Sequence, residues 1–141
     1  MFFAKLHPLI VHFPVGLFVS GAIFELYGSF RGEKIVAQAG AFNVRFGLWS
    51  SLPVAVVGFL GLRSIKLKDE FSLFVANHIL FTLSTILIFF GVILLSRFKN
   101  AIWGKVLYHC LLLLGLFTVL NAGFYGGELV HRFNLPTEIK N

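Results

Sequence analysis

The chain has 141 residues, of which 57% are hydrophobic and 13% are charged, and its formal net charge is +6. So few polar residues cannot cover the core of a water-soluble domain, which indicates that much of the surface faces lipid. The basic residues lie between apolar runs and form no patch, so we expect no nucleic-acid partner. The chain is short and has no Pro- or Ser-rich linker, which predicts one transmembrane domain over residues 1–141.

Four apolar segments predict four transmembrane helices, at about residues 8–29, 44–63, 71–96 and 102–127. Each segment has roughly the 20 residues that a helix needs to cross about 30 Å of hydrocarbon. The connections between them are short, so consecutive helices are expected to be antiparallel neighbours. The predicted fold class is therefore all-α, an integral membrane four-helix bundle with up-down-up-down topology.

Two prolines shape the start of the first helix. Pro8 suits the first helical position, and it disfavours helical geometry at the preceding residue, His7. Pro14 has no N–H group, so we expect it to leave the Ile10 carbonyl unpaired and to bend the helix. His7 and His12 would lie about 140° apart on a continuous helix, so they are not expected to share a face.

Histidine is costly inside a bilayer and therefore marks candidate functional positions. The topology places four of the five histidines near one face of the membrane, namely His7, His12, His78 and His131, and places His109 near the other. His12 and His78 lie at similar depth on two parallel, diagonal helices. Such imidazoles can approach a flat macrocycle from opposite sides, as in bis-histidine haem b. We therefore expect His12 and His78 to bind a haem iron.

Other residues near that face are candidates for supporting roles. The guanidinium groups of Arg63 and Arg132 are candidates to pair with the carboxylates of haem propionates. The alternative is that both are ordinary cations at helix ends. His131 is a candidate for a propionate contact or a redox-linked proton site, and the alternative is a solvated loop histidine. Two alternatives to haem stay open at this stage. One is a zinc site completed by His7 or His131, and the other is that each histidine only hydrogen-bonds a neighbouring helix or water.

Near the opposite face, Glu25 lies close to the end of the first helix. An unpaired carboxylate at that depth is costly, so a partner is expected. His109 on the fourth helix and Arg45 on the second are the candidates. A structural ion pair is favoured over a proton relay.

Four segments resemble the domain-of-unknown-function 2231 family of small bacterial membrane proteins. They are HPLIVHFPVGL at 7–17, VGFLGL at 57–62, NHIL at 77–80 and GGELVHR at 126–132. The resemblance implies four helices in the bacterial cytoplasmic membrane. Members of the family occur alongside c-type cytochrome domains, which implies electron transfer, with His12 and His78 matching the recurring histidines. The chain departs from the pattern at Leu62-Arg63, where an aspartate is frequent, and at His131, where tyrosine is common.

These observations predict a non-catalytic b-type cytochrome-like subunit with one haem near the N-terminal face. The chain would work in a larger respiratory or electron-transfer complex, with other membrane subunits and a c-type cytochrome or quinone as partners. The main alternative is a haem-free structural subunit of such a complex. A small transporter is disfavoured, because the sequence shows no internal repeat and no obvious pair of discontinuous helices.

Overall fold

The computed structural model describes residues 2–99 and 101–136, and these form a bundle of α-helices. The helices are α1 Phe2–Ile10, α2 His12–Arg31, α3 Lys34–Leu62, α4 Asp69–Leu95 and α5 Ile102–His131, with a 3-10 turn at Ser96–Phe98. They provide four segments that are long and apolar enough to span a membrane: Phe2–Arg31, Lys34–Leu62, Asp69–Phe98 and Ile102–His131. The predicted all-α four-helix membrane bundle is confirmed.

The first segment is interrupted where its prolines predict a break. α1 ends at Ile10, and α2 begins at His12 with Pro14 in its first turn. Because Pro14 lacks an N–H group, it cannot donate to the Ile10 carbonyl. The prediction that Pro8 keeps His7 out of a helix is wrong, because α1 begins at Phe2 and includes both residues.

The helices form two antiparallel hairpins that pack side by side. α2 packs along α3 in the first hairpin, and α4 packs along α5 in the second. α1 lies on α3, and the hairpins contact each other through α2 with α5 and through α3 with α4. α2 and α4 are thus diagonal, and Phe18 and Phe89 stack between them with ring centroids 4.4 Å apart. Outward-facing side chains such as Phe42, Leu87 and Phe117 are exposed and apolar, as lipid contact requires.

The two hairpins repeat one arrangement of aromatic rings. The spacing from His7 to Phe18 equals the spacing from His78 to Phe89. The two phenylalanines stack on each other, and the two histidine rings also meet, with centroids 6.2 Å apart. Both pairs therefore lie where the hairpins meet, on an approximate two-fold axis parallel to the helices.

Glycines on α3 and α5 follow the same repeat. A Cβ atom at Gly47 would lie 3.1 Å from the Phe18 ring, and one at Gly115 would lie 2.9 Å from the Phe89 ring. Further along these helices, Gly58 faces His7 and Gly126 faces His78. The spacing from the first to the second glycine is the same on both helices. The structure therefore has an internal repeat, contrary to expectation. The sequence does not reveal it because only these few positions, where the helices contact each other, are repeated.

Candidate functional site

His7 and His78 are held by equivalent hydrogen bonds. His7 Nδ1–H donates to the Val54 carbonyl on α3 over 3.2 Å, and His78 Nδ1–H donates to the Ala122 carbonyl on α5 over 2.9 Å. A carbonyl oxygen can only accept, so the proton of each neutral ring lies on Nδ1. The Nε2 lone pair of each imidazole is thereby left for another partner.

A glycine one turn beyond each carbonyl makes room for each ring. Cβ atoms at Gly58 and Gly126 would lie 2.8 and 3.0 Å from the Cε1 atoms of His7 and His78. Both histidines are half-buried. Each hairpin therefore supplies one histidine, one carbonyl and one glycine to a single site on the two-fold axis. We call the end of the bundle that contains His7 and His78 the histidine end.

These contacts fit the alternative in which each histidine only hydrogen-bonds a neighbouring helix, and they also fit a pair of metal ligands. Histidines that bind metals usually donate their second ring N–H to a carbonyl or carboxylate, which fixes the tautomer and orients the ring. His7 and His78 both do so, and their rings lie at 80° to each other. The zinc alternative finds no support, since among residues 2–99 and 101–136 no group of three or more His, Cys, Asp or Glu side chains could hold a metal ion.

The structure brings His78 together with His7 rather than with His12. His12 is exposed at the start of α2, just past the helix break, whereas the half-buried His7 points to Val54 and meets His78. The equal spacings from each histidine to its phenylalanine are the sequence signal that would have identified His7. The role of His12 as a haem ligand stays a prediction, with its side chain now placed at the surface.

The other candidates lie at the histidine end but outside the pair. Arg63 and His131 are exposed at the ends of α3 and α5. Arg132 is also exposed, and its guanidinium lies 3.5 Å from a Glu128 carboxylate oxygen and 5.4 Å from the Phe74 ring centroid. Their proposed propionate contacts stay predictions.

At the other end of the bundle, Glu25 is buried and fully paired. Its side chain is 1% exposed. Tyr108 donates its hydroxyl to Oε1 over 2.5 Å, and Lys99 Nζ lies 3.1 Å from Oε2. Lys99 Nζ also lies 3.7 Å from the Tyr108 ring centroid, so the three groups form a closed cluster. We call the end that contains Glu25, Lys99 and Tyr108 the glutamate end.

The expected partners of Glu25 have other contacts. His109 Nδ1–H donates to the Lys105 carbonyl over 2.6 Å, and its ring packs near Phe30. Arg45 is exposed but lines a small void together with Glu25. The carboxylate does have a structural ion pair, but the hydrogen bonds come from Lys99 and Tyr108. Reasoning from sequence named neither, because Lys99 lies between the third and fourth predicted helices and Tyr108 is not an ionic partner.

The fold and the paired histidines define a class: a four-helix membrane protein built from two hairpins, with an imidazole pair on the axis between them. The model of the DUF2231 family, described as a predicted membrane protein, matches residues 4–138. The chain belongs to this family, as its motifs indicate. No curated protein and no solved structure matches the chain.

Proposed function

We propose that this chain is a membrane electron-transfer subunit that holds one b-type haem at the histidine end, with His7 and His78 as the axial ligands. The proposal rests on the histidine pair itself, in which both Nδ1–H groups donate to backbone carbonyls. The site differs from the sequence-based hypothesis in one ligand, since His7 replaces His12.

The separation of the rings supports this assignment. If both Nε2 atoms bound one metal at about 2.0 Å, the two ring centroids would lie about 6 Å apart. The His7 and His78 centroids are 6.2 Å apart. The hydrogen bonds to Val54 and Ala122 hold both rings in place, which lowers the cost of ordering them when a ligand binds.

The number of ligands also favours haem over a bare metal ion. A structural zinc site needs four ligands, and a catalytic one needs three from the protein. A haem requires only two axial ligands from the chain, because its macrocycle provides the other four nitrogens. When bound, it supplies a one-electron carrier whose potential depends on its axial ligands and on the polarity around it.

The surrounding residues fit a redox partner on the same face. Arg63 and Arg132 are exposed there, and their guanidinium groups match propionate carboxylates. Lys66 and Lys68, in the connection after α3, add positive charge that would attract an acidic surface. With such short connections, the chain has little surface of its own outside the membrane. We therefore place it in a larger respiratory or electron-transfer assembly, with a c-type cytochrome or quinone as the electron partner.

An absorption spectrum of the protein, purified from cells supplied with haem, tests the proposal. We expect a Soret band and a reducible α-band, both lost in His7→Ala and in His78→Ala. His109→Ala, which changes a histidine at the glutamate end, is the matched control and should leave the bands intact. A colourless wild-type protein would contradict the proposal and would favour the haem-free structural subunit instead.

A further inference from the structure

An open cavity of about 330 Å³ lies beside the Glu25 cluster, between the end of α2 and the start of α3. We propose that it binds the phosphate group of an anionic ligand, either an anionic lipid head group or free phosphate. This site is separate from the histidine pair and does not depend on haem. Its volume falls within the range of about 300–1,000 Å³ that is typical of small-molecule sites.

The charges around the cavity favour an anion. Lys34 and Lys99 are among the residues that line it, together with Glu25. Glu25 is 1% exposed, and both of its oxygens are already bonded, to Tyr108 and Lys99. Among the residues that the structure describes, the lining has two lysines and one glutamate, and the Glu25 carboxylate is shielded from a ligand. Lys99 is 35% exposed, so it can contact a ligand while it holds Glu25.

Neutral donors and the end of a helix complete the lining. Ser29 and Gln38 also line the cavity, and side chains of both types can donate to phosphate oxygens. Lys34 and Gln38 belong to the first two turns of α3, and Glu33 makes no side-chain capping bond to that helix. The backbone N–H groups of the first turn can also donate to an anion.

The internal repeat gives an independent argument for a separate role of this cluster. It indicates that the packing of the two hairpins does not by itself require the cluster. The spacing from Phe18 to Glu25 equals that from Phe89 to Ser96, so a serine stands at the equivalent place in the second hairpin. Lys99 corresponds in the same way to Gly28. On the partner helices, Tyr108 corresponds to Gly40, counting from Gly115 and Gly47 respectively. All three members of the cluster thus break the repeat, although the hairpins pack equivalently elsewhere.

The depth of the cavity matches that of lipid phosphates. α2 ends at Arg31 and α3 begins at Lys34, so the cavity lies where a spanning helix pair reaches the head-group layer. Basic pockets between membrane helices at this level bind acidic head groups. A lipid phosphate is therefore a direct source of the ligand, and inorganic phosphate from the adjacent aqueous phase is the other.

Binding to the full-length chain in detergent tests the proposal. One arm titrates phosphatidylglycerol, with zwitterionic phosphatidylcholine for comparison, by native mass spectrometry. The other arm titrates inorganic phosphate by calorimetry. Lys34→Gln is the main variant because it leaves the partners of Glu25 in place, and Lys105→Gln removes a nearby exposed charge that does not line the cavity. We expect Lys34→Gln to weaken binding about tenfold, as for one lost charge-assisted hydrogen bond.

Each result has a defined meaning. Selective binding of phosphatidylglycerol that weakens in Lys34→Gln but not in Lys105→Gln supports the site and identifies a lipid as the source. The same pattern with inorganic phosphate supports the site and identifies a soluble ligand. Equal losses in the two variants, or no binding of either probe, would overturn the proposal. The haem spectrum should not change in Lys34→Gln, so failure here is distinguishable from failure of the proposed function.

Discussion

The two ends of the bundle differ in symmetry. At the histidine end the two hairpins make equal contributions, and His7 and His78 are held in the same way. At the glutamate end the contributions are unequal, because Glu25 comes from the first hairpin and both of its partners come from the second. A ligand that is itself symmetric would suit the first end, whereas the anion proposed for the second end would contact unequal residues from the two hairpins. The arrangement that the two hairpins share thus explains how they pack. The residues that break this repeat indicate a separate chemical role for the glutamate end.

The stacked phenylalanines between the two ends give the largest expected effect. Phe18→Ala and Phe89→Ala should each lower the free energy of unfolding by about 3–5 kcal/mol, because each leaves a cavity in the core. Since each variant removes the same stacking contact, the double variant should lose less than the sum of the two. Denaturant unfolding in detergent measures all three. If only one phenylalanine proved important, the equivalence of the hairpins would be lost.

Helix number, helix order and the sidedness of the histidines were predictable from sequence. Long apolar runs specify membrane helices, and short connections make consecutive helices antiparallel. Helix boundaries were less predictable, and α3 begins at Lys34 rather than near residue 44. Its first turns mix polar and small residues with apolar ones, so they lie outside the apolar run. They nevertheless pack against α2 at Gly28, where a Cβ would lie 2.5 Å from the Ala37 nitrogen. Close contact between two backbones does not depend on apolar side chains, so the hydropathy of the sequence does not reveal it.

The glutamate end should tolerate loss of charge poorly. Glu25→Gln removes the anion that Lys99 binds, and we expect a loss of about 2–3 kcal/mol in unfolding free energy. That is less than the full cost of breaking a buried pair, because Lys99 keeps contact with water. The matched control is Ser96→Ala, at the equivalent position of the second hairpin, which should cost no more than about 1 kcal/mol, because it removes one neutral hydrogen bond to the Ile93 carbonyl. Thermal unfolding in detergent compares the two. Similar losses in both variants would remove the contrast between the two ends.

The histidine end should respond equally to changes in either hairpin. Gly58→Ala and Gly126→Ala each place a methyl group against a histidine ring, which should cost about 1–2 kcal/mol and displace the ring. Both should shift or weaken the haem absorption to a similar degree. Gly123→Ala adds the same methyl group where no atom lies within 4 Å, so it should have no such effect. A response in one variant alone would show that the two histidines are not equivalent.

Of the two paired histidines, only His78 was predictable from sequence. His78 lies in a continuous helix, so its depth and side follow from counting residues. The position of the other histidine of the pair depends on the break at Val11, where α1 ends and α2 begins. Two prolines flank that break, and a local interruption changes which side chain faces inward without changing hydropathy. A residue before proline is usually not helical, yet α1 accommodates Pro8 and directs His7 to Val54.

The absorption spectra of His7→Ala and His12→Ala, prepared side by side, test the central claim most directly. The two variants remove histidines from the same membrane segment, at either side of its break. If His7 and His78 are the axial ligands, His7→Ala abolishes the low-spin bis-histidine bands and His12→Ala retains them at wild-type intensity. Loss of the bands in His12→Ala, with retention in His7→Ala, would contradict the account and move the site to the exposed histidine of α2.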